Sequence, residues 1–164
     1  MAKAIVVYES KYGNTKLVAE TIAGGMNQVP GTKAMVVELN DVDLSKMGDF
    51  DAILVGSPNH MGRATRSITK FIDKLGKLNL EKKRGAVFDT YMGGDFEKAV
   101  KKMEKQLREK ATGITLVAPG LSVKVDGMKG PVADGELPKC REFGVKVATL
   151  LKEKEAERIR REQK

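Results

Sequence analysis

Short apolar runs alternate with amphipathic runs along this chain. That alternation predicts a parallel β-sheet covered by helices on both faces. Residues 4–8 read AIVVY, a β-branched run too short for a helix and without polar interruption, as in a strand buried on both sides. Further strands are predicted over residues 33–39, 52–56, 85–88 and 114–117, the last with an optional continuation at 121–125. The helical rhythm falls at 15–26, where Leu17, Val18, Thr21 and Ile22 share one face, at 65–75, at 95–110, and from about Gly135 to the end. The connection 40–51 is short and Asp-rich, with room for a turn or two of helix.

A chain of 164 residues fits one domain and buries roughly two thirds of its unfolded surface. Beyond Leu151 the terminal helix loses its apolar face, keeping Ala156 and Ile159 among charges. The expectation is a domain over 1–151 followed by a charged end, 152–164, solvated or frayed. The amino terminus is expected to run straight into the first strand without a signal sequence, and no apolar stretch approaches the length of a membrane span. Cys140 is the single cysteine, so no intramolecular disulfide forms, and a cytoplasmic, reducing setting is expected. It has no histidine or second cysteine close in sequence and is assigned a structural role.

In such sheets crossovers are right-handed, and ligands sit outside the carboxyl ends of the strands where the strand order reverses. Three unusual loops, 9–14, 57–64 and 89–95, are therefore expected to converge. The first carries Ser10, Lys11, Tyr12, Gly13, Asn14 and Thr15 between an apolar strand and an amphipathic helix. A turn at that junction aims unpaired backbone N–H groups and the hydroxyls of Ser10 and Thr15 at one spot, beside the positive end of the helix dipole. It predicts a phosphate site. Neither the Gly-Lys-Ser/Thr nucleotide-triphosphate loop nor the three-glycine dinucleotide pattern is present.

The second loop reads Ser57, Pro58, Asn59, His60, Met61, Gly62, Arg63. Its glycine and proline enforce an irregular course that presents backbone amides and carbonyls to a flat heterocycle. His60, the only histidine, has no second ligand group near it and is taken as a surface residue. Met61 at a loop tip suits an aromatic ring, since thioether sulfur packs well against its face. The third loop, Asp89, Thr90, Tyr91, Met92, Gly93, Gly94 and Asp95, offers Tyr91 or Met92 for stacking.

The Ser-x-x-Gly-Asn-Thr turn at the first strand–helix junction resembles the phosphate loop of the flavodoxin family, and Met61-Gly62 resembles the pair that packs on the inner face of the flavin in some of its members. Tyr91 resembles the family's outer stacking residue, and residues 118–123 and 135–144 resemble its last strand and final helix. The resemblance covers nearly the whole chain, and the absence of a twenty-residue insertion in the last strand points to the short-chain type. It implies a doubly wound, five-stranded parallel sheet of order 2-1-3-4-5, with FMN held by the residues of the three loops. It also implies a peptide flip at Gly62 when the ring gains an electron. The implied function is single-electron transfer between protein partners, by a monomer or weak dimer. An FMN-dependent NAD(P)H:quinone or flavin reductase of the same fold is the alternative, for which no second nucleotide fingerprint is seen. A phosphoacceptor receiver is set aside, because Gly56-Ser57 stands where that fold needs an aspartate.

Charge changes one part of this picture. Thirty Lys and Arg against 22 Asp and Glu leave a net +8, whereas many flavodoxins are strongly acidic, and Arg63 stands where acidic residues often follow the Met-Gly pair. The surplus favours a redox partner with an acidic docking face. A nucleic-acid role is disfavoured, because lysines and arginines interleave with glutamate over 97–110 and 152–164 and no aromatic residues alternate with them to stack bases.

Overall fold

The computed structural model describes residues 1–163. Each apolar run becomes a strand with parallel neighbours: β1 (Ala2–Tyr8), β2 (Thr32–Glu38), β3 (Ala52–Pro58), β4 (Lys83–Tyr91), β5 (Ile114–Leu116) and β6 (Leu121–Lys124). The helices are α1 (Asn14–Asn27), α2 (Arg66–Gly76), α3 (Lys98–Lys110) and α4 (Glu136–Glu162), and the β2–β3 connection holds two 3₁₀ turns, Leu39–Asp41 and Leu44–Asp49. The sheet order is β2-β1-β3-β4-β5, every pairing parallel, with β6 also beside β4. From β1 the chain first builds outward to β2 and then returns to place β3 on the other side. The order therefore reverses between β1 and β3, and the loops leaving those two strands flank the crevice.

Strand alternation sorts the core into two layers. Val6, Leu54 and Phe88 face α1 and α4, meeting Ile22, Met26, Phe143 and Val147. Val7, Val55 and Val87 face α2 and α3, meeting Ile68, Ile72, Met103 and Leu107. Each fully buried branched side chain contributes roughly 1.5–3 kcal/mol, so these two layers supply most of the drive to fold.

Four expectations are revised. The buried stripe of α1 is Val18, Ala19, Ile22, Ala23 and Met26, while Leu17 is exposed. Helix α4 crosses so close that a Cβ on Gly25 would collide with the Arg141 carbonyl, and one on Gly144 with that of Ile22. Small residues must occupy that crossing, and the helix turns them inward. Secondly, β4 runs on through Tyr91, because β6 extends the ladder beside Phe88–Tyr91. Thirdly, the fifth sheet position is filled by two short strands; Val117 N–H still reaches the Gly85 carbonyl at 3.0 Å, and the chain leaves the edge at 118–120, where Pro119 has no N–H to give. Finally, α3 begins at Lys98, since Glu97 takes a left-handed φ of 61° just before it. The end of the chain is helical through Glu162, with Leu151 the last buried residue of α4; Lys164 of the expected charged end lies outside the described residues.

Candidate functional site

The first turn is built around Gly13, whose φ of 91° only glycine adopts without strain. Gly13 caps α1 without a side-chain acceptor, and its own N–H is donated to Ser10 Oγ at 2.9 Å. Leu17 N–H returns to the Gly13 carbonyl at 3.0 Å. The amides of Asn14, Thr15 and Lys16 have no acceptor among the described residues and open toward the crevice. A Cβ added at Gly13 would meet nothing within 4 Å, so the turn is open at that residue. Lys11 and Tyr12 are exposed beside it, the ammonium 5.5 Å from the ring centre. Thr15 is turned inward instead, its hydroxyl 2.9 Å from that of Thr90 on β4.

The second loop is fixed from within. Ser57 is buried, donating its hydroxyl to the Pro58 carbonyl at 2.8 Å and accepting Thr65 N–H at 3.0 Å, so that it ties β3 to the start of α2. Asn59 joins two loops: its backbone N–H goes to the Thr90 carbonyl at 2.8 Å, its Nδ2 to the Asp95 carbonyl at 3.3 Å, and its Oδ1 accepts Gly62 N–H at 2.8 Å. His60 and Arg63 exchange both backbone hydrogen bonds across a tight turn whose central residues, Met61 and Gly62, have φ of 55° and 81°. Positive φ at both central positions is the type I′ arrangement. It lifts Met61 to 94% exposure at the tip and tucks Gly62 beneath. Side chains of Lys98 and Lys102 from α3 lie against Gly62, the Lys102 ammonium 3.8 Å from where a Cβ would stand.

The third segment differs most from expectation. Asp89 and Thr90 belong to β4 and are buried, so the loop itself starts at Met92. Asp89 accepts the Ser122 hydroxyl at 2.6 Å and Val100 N–H at 3.0 Å, joining β4, β6 and the first turn of α3. Burial pushes its carboxyl up to about 6; the two hydrogen bonds oppose that shift, and the nearby charges of Glu97 and Asp95 add to it. Tyr91 closes the strand, its ring 5.4 Å from that of Phe96 and tilted by 50°. Met92, Gly93 and Gly94 are exposed, and Asp95 pairs with Lys98 at 3.0 Å.

Sequence reasoning missed a fourth wall. Residues 125–133 fold back on themselves through the Val125–Val132 bridge and lie over the first turn. There the Tyr12 hydroxyl reaches Met128 Sδ at 3.9 Å, and Gly130 stands where any side chain would run into Asn14. The turn residues Asp126-Gly127 and Gly130-Pro131, with a methionine between them, are the signal that marks it. Phe96 and Lys102 also escaped notice, because both follow the stretch read as the loop.

Among the described residues no group of three His, Cys, Asp or Glu is placed to hold a metal ion. Cys140 is buried, and burial pushes its thiol up to about 12, which leaves it an inert core residue.

The order-reversal crevice, the anion-ready helix start and the two apolar-tipped loops define a doubly wound α/β protein of the flavodoxin-like fold. A flavodoxin domain model matches residues 5–125, and the chain belongs to the flavodoxin family. A flavodoxin of Clostridium saccharobutylicum is 31% identical over 88 residues, covering 54% of this chain and 55% of its own length. The type A flavoprotein fprA of Rhodobacter capsulatus is 30% identical over 151 residues, covering 90% of this chain and 33% of its own. The chain thus spans about half or less of the curated relatives it matches. Among solved structures, an archaeal flavodoxin superposes with a TM-score of 0.79 at 33% identity, covering 92% of this chain and 99% of the other. Flavodoxin 2 of Bacillus cereus does so with a TM-score of 0.74 at 27% identity, covering 93% and 99%. Among the described residues, no helix is long and apolar enough to cross a membrane.

Proposed function

We propose that this protein binds FMN between the turn at 10–15, the 59–63 turn and the Tyr91–Asp95 segment, and carries single electrons between redox proteins in the cytoplasm as a monomer or weak dimer. The observation that carries the reading is the set of unpartnered amides at Asn14, Thr15 and Lys16, at the start of α1 beside the open turn at Gly13. A cofactor phosphate suits those donors, and Lys11 adds a cation next to them. Met61 and the Tyr91–Phe96 pair offer an apolar face on either side of a flat ring. The bound flavin supplies the redox chemistry.

The residues themselves orient and tune. The Thr15 and Thr90 hydroxyls share one 2.9 Å hydrogen bond, in which either serves as donor, and it fixes the turn against β4. Asn59 holds the second and third loops at fixed separation. A flip of the Gly62–Arg63 peptide gives up one 3.2 Å bond, from Arg63 N–H to the His60 carbonyl, and glycine at φ 81° tolerates either orientation. The basic surface suits an acidic docking face on the partner.

The test is a fluorescence titration of the apoprotein with FMN and with riboflavin. Tighter binding of FMN by several kcal/mol is expected, since riboflavin leaves the turn's donors unpaired. Equal affinities would remove the phosphate-turn assignment. The partial match to a flavoprotein much longer than this chain keeps a reductase reading in view; NAD(P)H oxidation by the flavin-loaded protein would replace the carrier reading with it.

A further inference from the structure

The net charge is concentrated in one stretch. Residues 63–110 hold 14 Lys and Arg against seven Asp and Glu, a surplus of seven out of the chain's +8, so the remaining residues are close to neutral. That stretch builds α2 and α3, which form one outer layer joined by Gln106, whose Nε2 reaches the Thr69 carbonyl at 2.9 Å and Asp73 Oδ1 at 3.0 Å. On α3 part of the charge is compensated at helical spacing, by Lys98–Asp95, Lys101–Glu97 and Arg108–Glu104. On α2 it is not.

Arg66, Lys70 and Lys74 recur every fourth residue along one side of α2, all exposed, and none forms an ion pair among the described residues. Asp41, Asp43 and Asp49 of the neighbouring connection do not pair with them either. Lys70 and Lys74 rim a groove of about 360 Å³ whose floor includes Leu39, Val42, Leu44 and Phe71. At its amino-terminal end the row continues through Arg63 into the turn that carries Met61. Eleven helical residues extend roughly 16 Å, so row, groove and turn fit within the patch of about 800 Å² that one partner covers in a standard complex.

Resting on the electron-carrier reading, we propose that the α2 row Arg66, Lys70 and Lys74, with its groove, is the docking surface for an acidic redox protein, positioning that partner against Met61 and the cofactor. Uncompensated like charges repel one another in the free protein and attract carboxylates over a Debye length, which steers encounter. The apolar groove floor then offers contact area, and Met61 at the end of the row presents an apolar tip to the docked partner. Nucleic acid fits less well, because Phe71, the aromatic residue of α2, is buried and leaves no stacking platform.

The probe is an acidic plant-type ferredoxin, titrated into ¹⁵N-labelled full-length protein, FMN-loaded and FMN-free, at low and at physiological ionic strength. Amide shifts are expected along α2 and the 59–63 turn, with affinity falling about tenfold or more as salt rises. The reversal R66E/K70E/K74E should weaken binding by about tenfold or more, while the equal reversal K146E/K152E/K154E on exposed α4 positions leaves it within about twofold. Equal losses in both variants, shifts spread evenly over α4, or no shifts would overturn the proposal. So would a single-stranded oligonucleotide that displaces the ferredoxin from the same residues at physiological salt. Failure of FMN to bind would sink the carrier reading separately, because the FMN-free titration still reports whether α2 docks the probe.

Discussion

Thr15 and Thr90 face each other through a 2.9 Å hydroxyl–hydroxyl hydrogen bond, buried between the first turn of α1 and the end of β4. These residues stand 75 apart in the chain, and the bond fixes the phosphate-type turn against the strand that leads to Tyr91. Replacing either by valine leaves the other hydroxyl buried and unpaired, at a cost of about 1–3 kcal/mol. The double variant T15V/T90V should lose little more than either single one, giving a coupling of about 1 kcal/mol in a cycle measured by urea unfolding. Strict additivity would show that each hydroxyl finds water independently.

Gly13→Val should leave the fold intact and abolish tight FMN binding. The φ of 91° strains a β-branched residue by about 1–3 kcal/mol, well short of total stability. The new side chain would meet no protein atom within 4 Å at its Cβ, so it adds bulk to the open turn without a clash in the free protein. Native circular dichroism with FMN affinity reduced at least about a hundredfold is expected, the loss of several charge-assisted hydrogen bonds. Unchanged affinity would make the turn a simple helix cap.

Asp89 gives a pH signature. A carboxyl at about 6 in the folded protein against an ordinary 3.8 binds its proton more tightly folded than unfolded. Its protonation therefore favours the folded state most at acid pH, and that advantage is lost as pH rises from about 4 to about 6. Above that range the ionised group costs on the order of 3 kcal/mol relative to the unfolded chain. In Asp89→Asn the amide keeps an acceptor for Val100 N–H and a donor for Ser122, so the variant should gain on the wild type by on the order of 3 kcal/mol between pH 4 and pH 7. Unfolding free energies at a series of pH values check this; a constant difference would move the titration elsewhere.

Arg63 and Lys102 should raise the potential of the second electron. A reduced flavin carrying negative charge is favoured by cations close to the Gly62 peptide, and the Lys102 ammonium is held there by α3. Charge reversal, Arg63→Glu or Lys102→Glu, should disfavour that anion by on the order of 1 kcal/mol at low salt, a few tens of millivolts downward. The Lys102 change should be the larger, since its ammonium lies against Gly62; both side chains are exposed, so added salt should weaken both effects. Redox titration of the three proteins decides it: an unchanged or higher potential in both variants would show that neither charge reaches the ring.

What could be read directly was what depends on neighbours in sequence. The 4–8 run is apolar at every position, so only a strand covered on both faces can hide it. Ser10, Gly13 and Asn14 mark a turn by their own backbone preferences, and Met61-Gly62 marks a tight tip, because the need for positive φ is local. Alternation of these elements predicts a parallel sheet covered on both faces, while its strand order is what the family resemblance implies.

Tertiary structure decided everything that depends on partners distant in sequence. Leu17 is a stronger hydrophobe than Ala19 or Ala23, yet the alanines are buried, because α4 approaches within backbone contact at Gly25 and Gly144. Asp89 and Thr90 look like polar loop residues until β6 pairs beside them and Ser122, Val100 and Thr15 satisfy their side chains. The 125–133 wall and the Lys102 ammonium at Gly62 come from segments about 115 and 40 residues away from what they cover. Sequence by itself determined where the chain turns and which runs must be hidden. Which face of each helix is hidden, and which charges meet at the cofactor's edge, was decided by packing, since steric fit and desolvation act between surfaces that only the folded chain brings together.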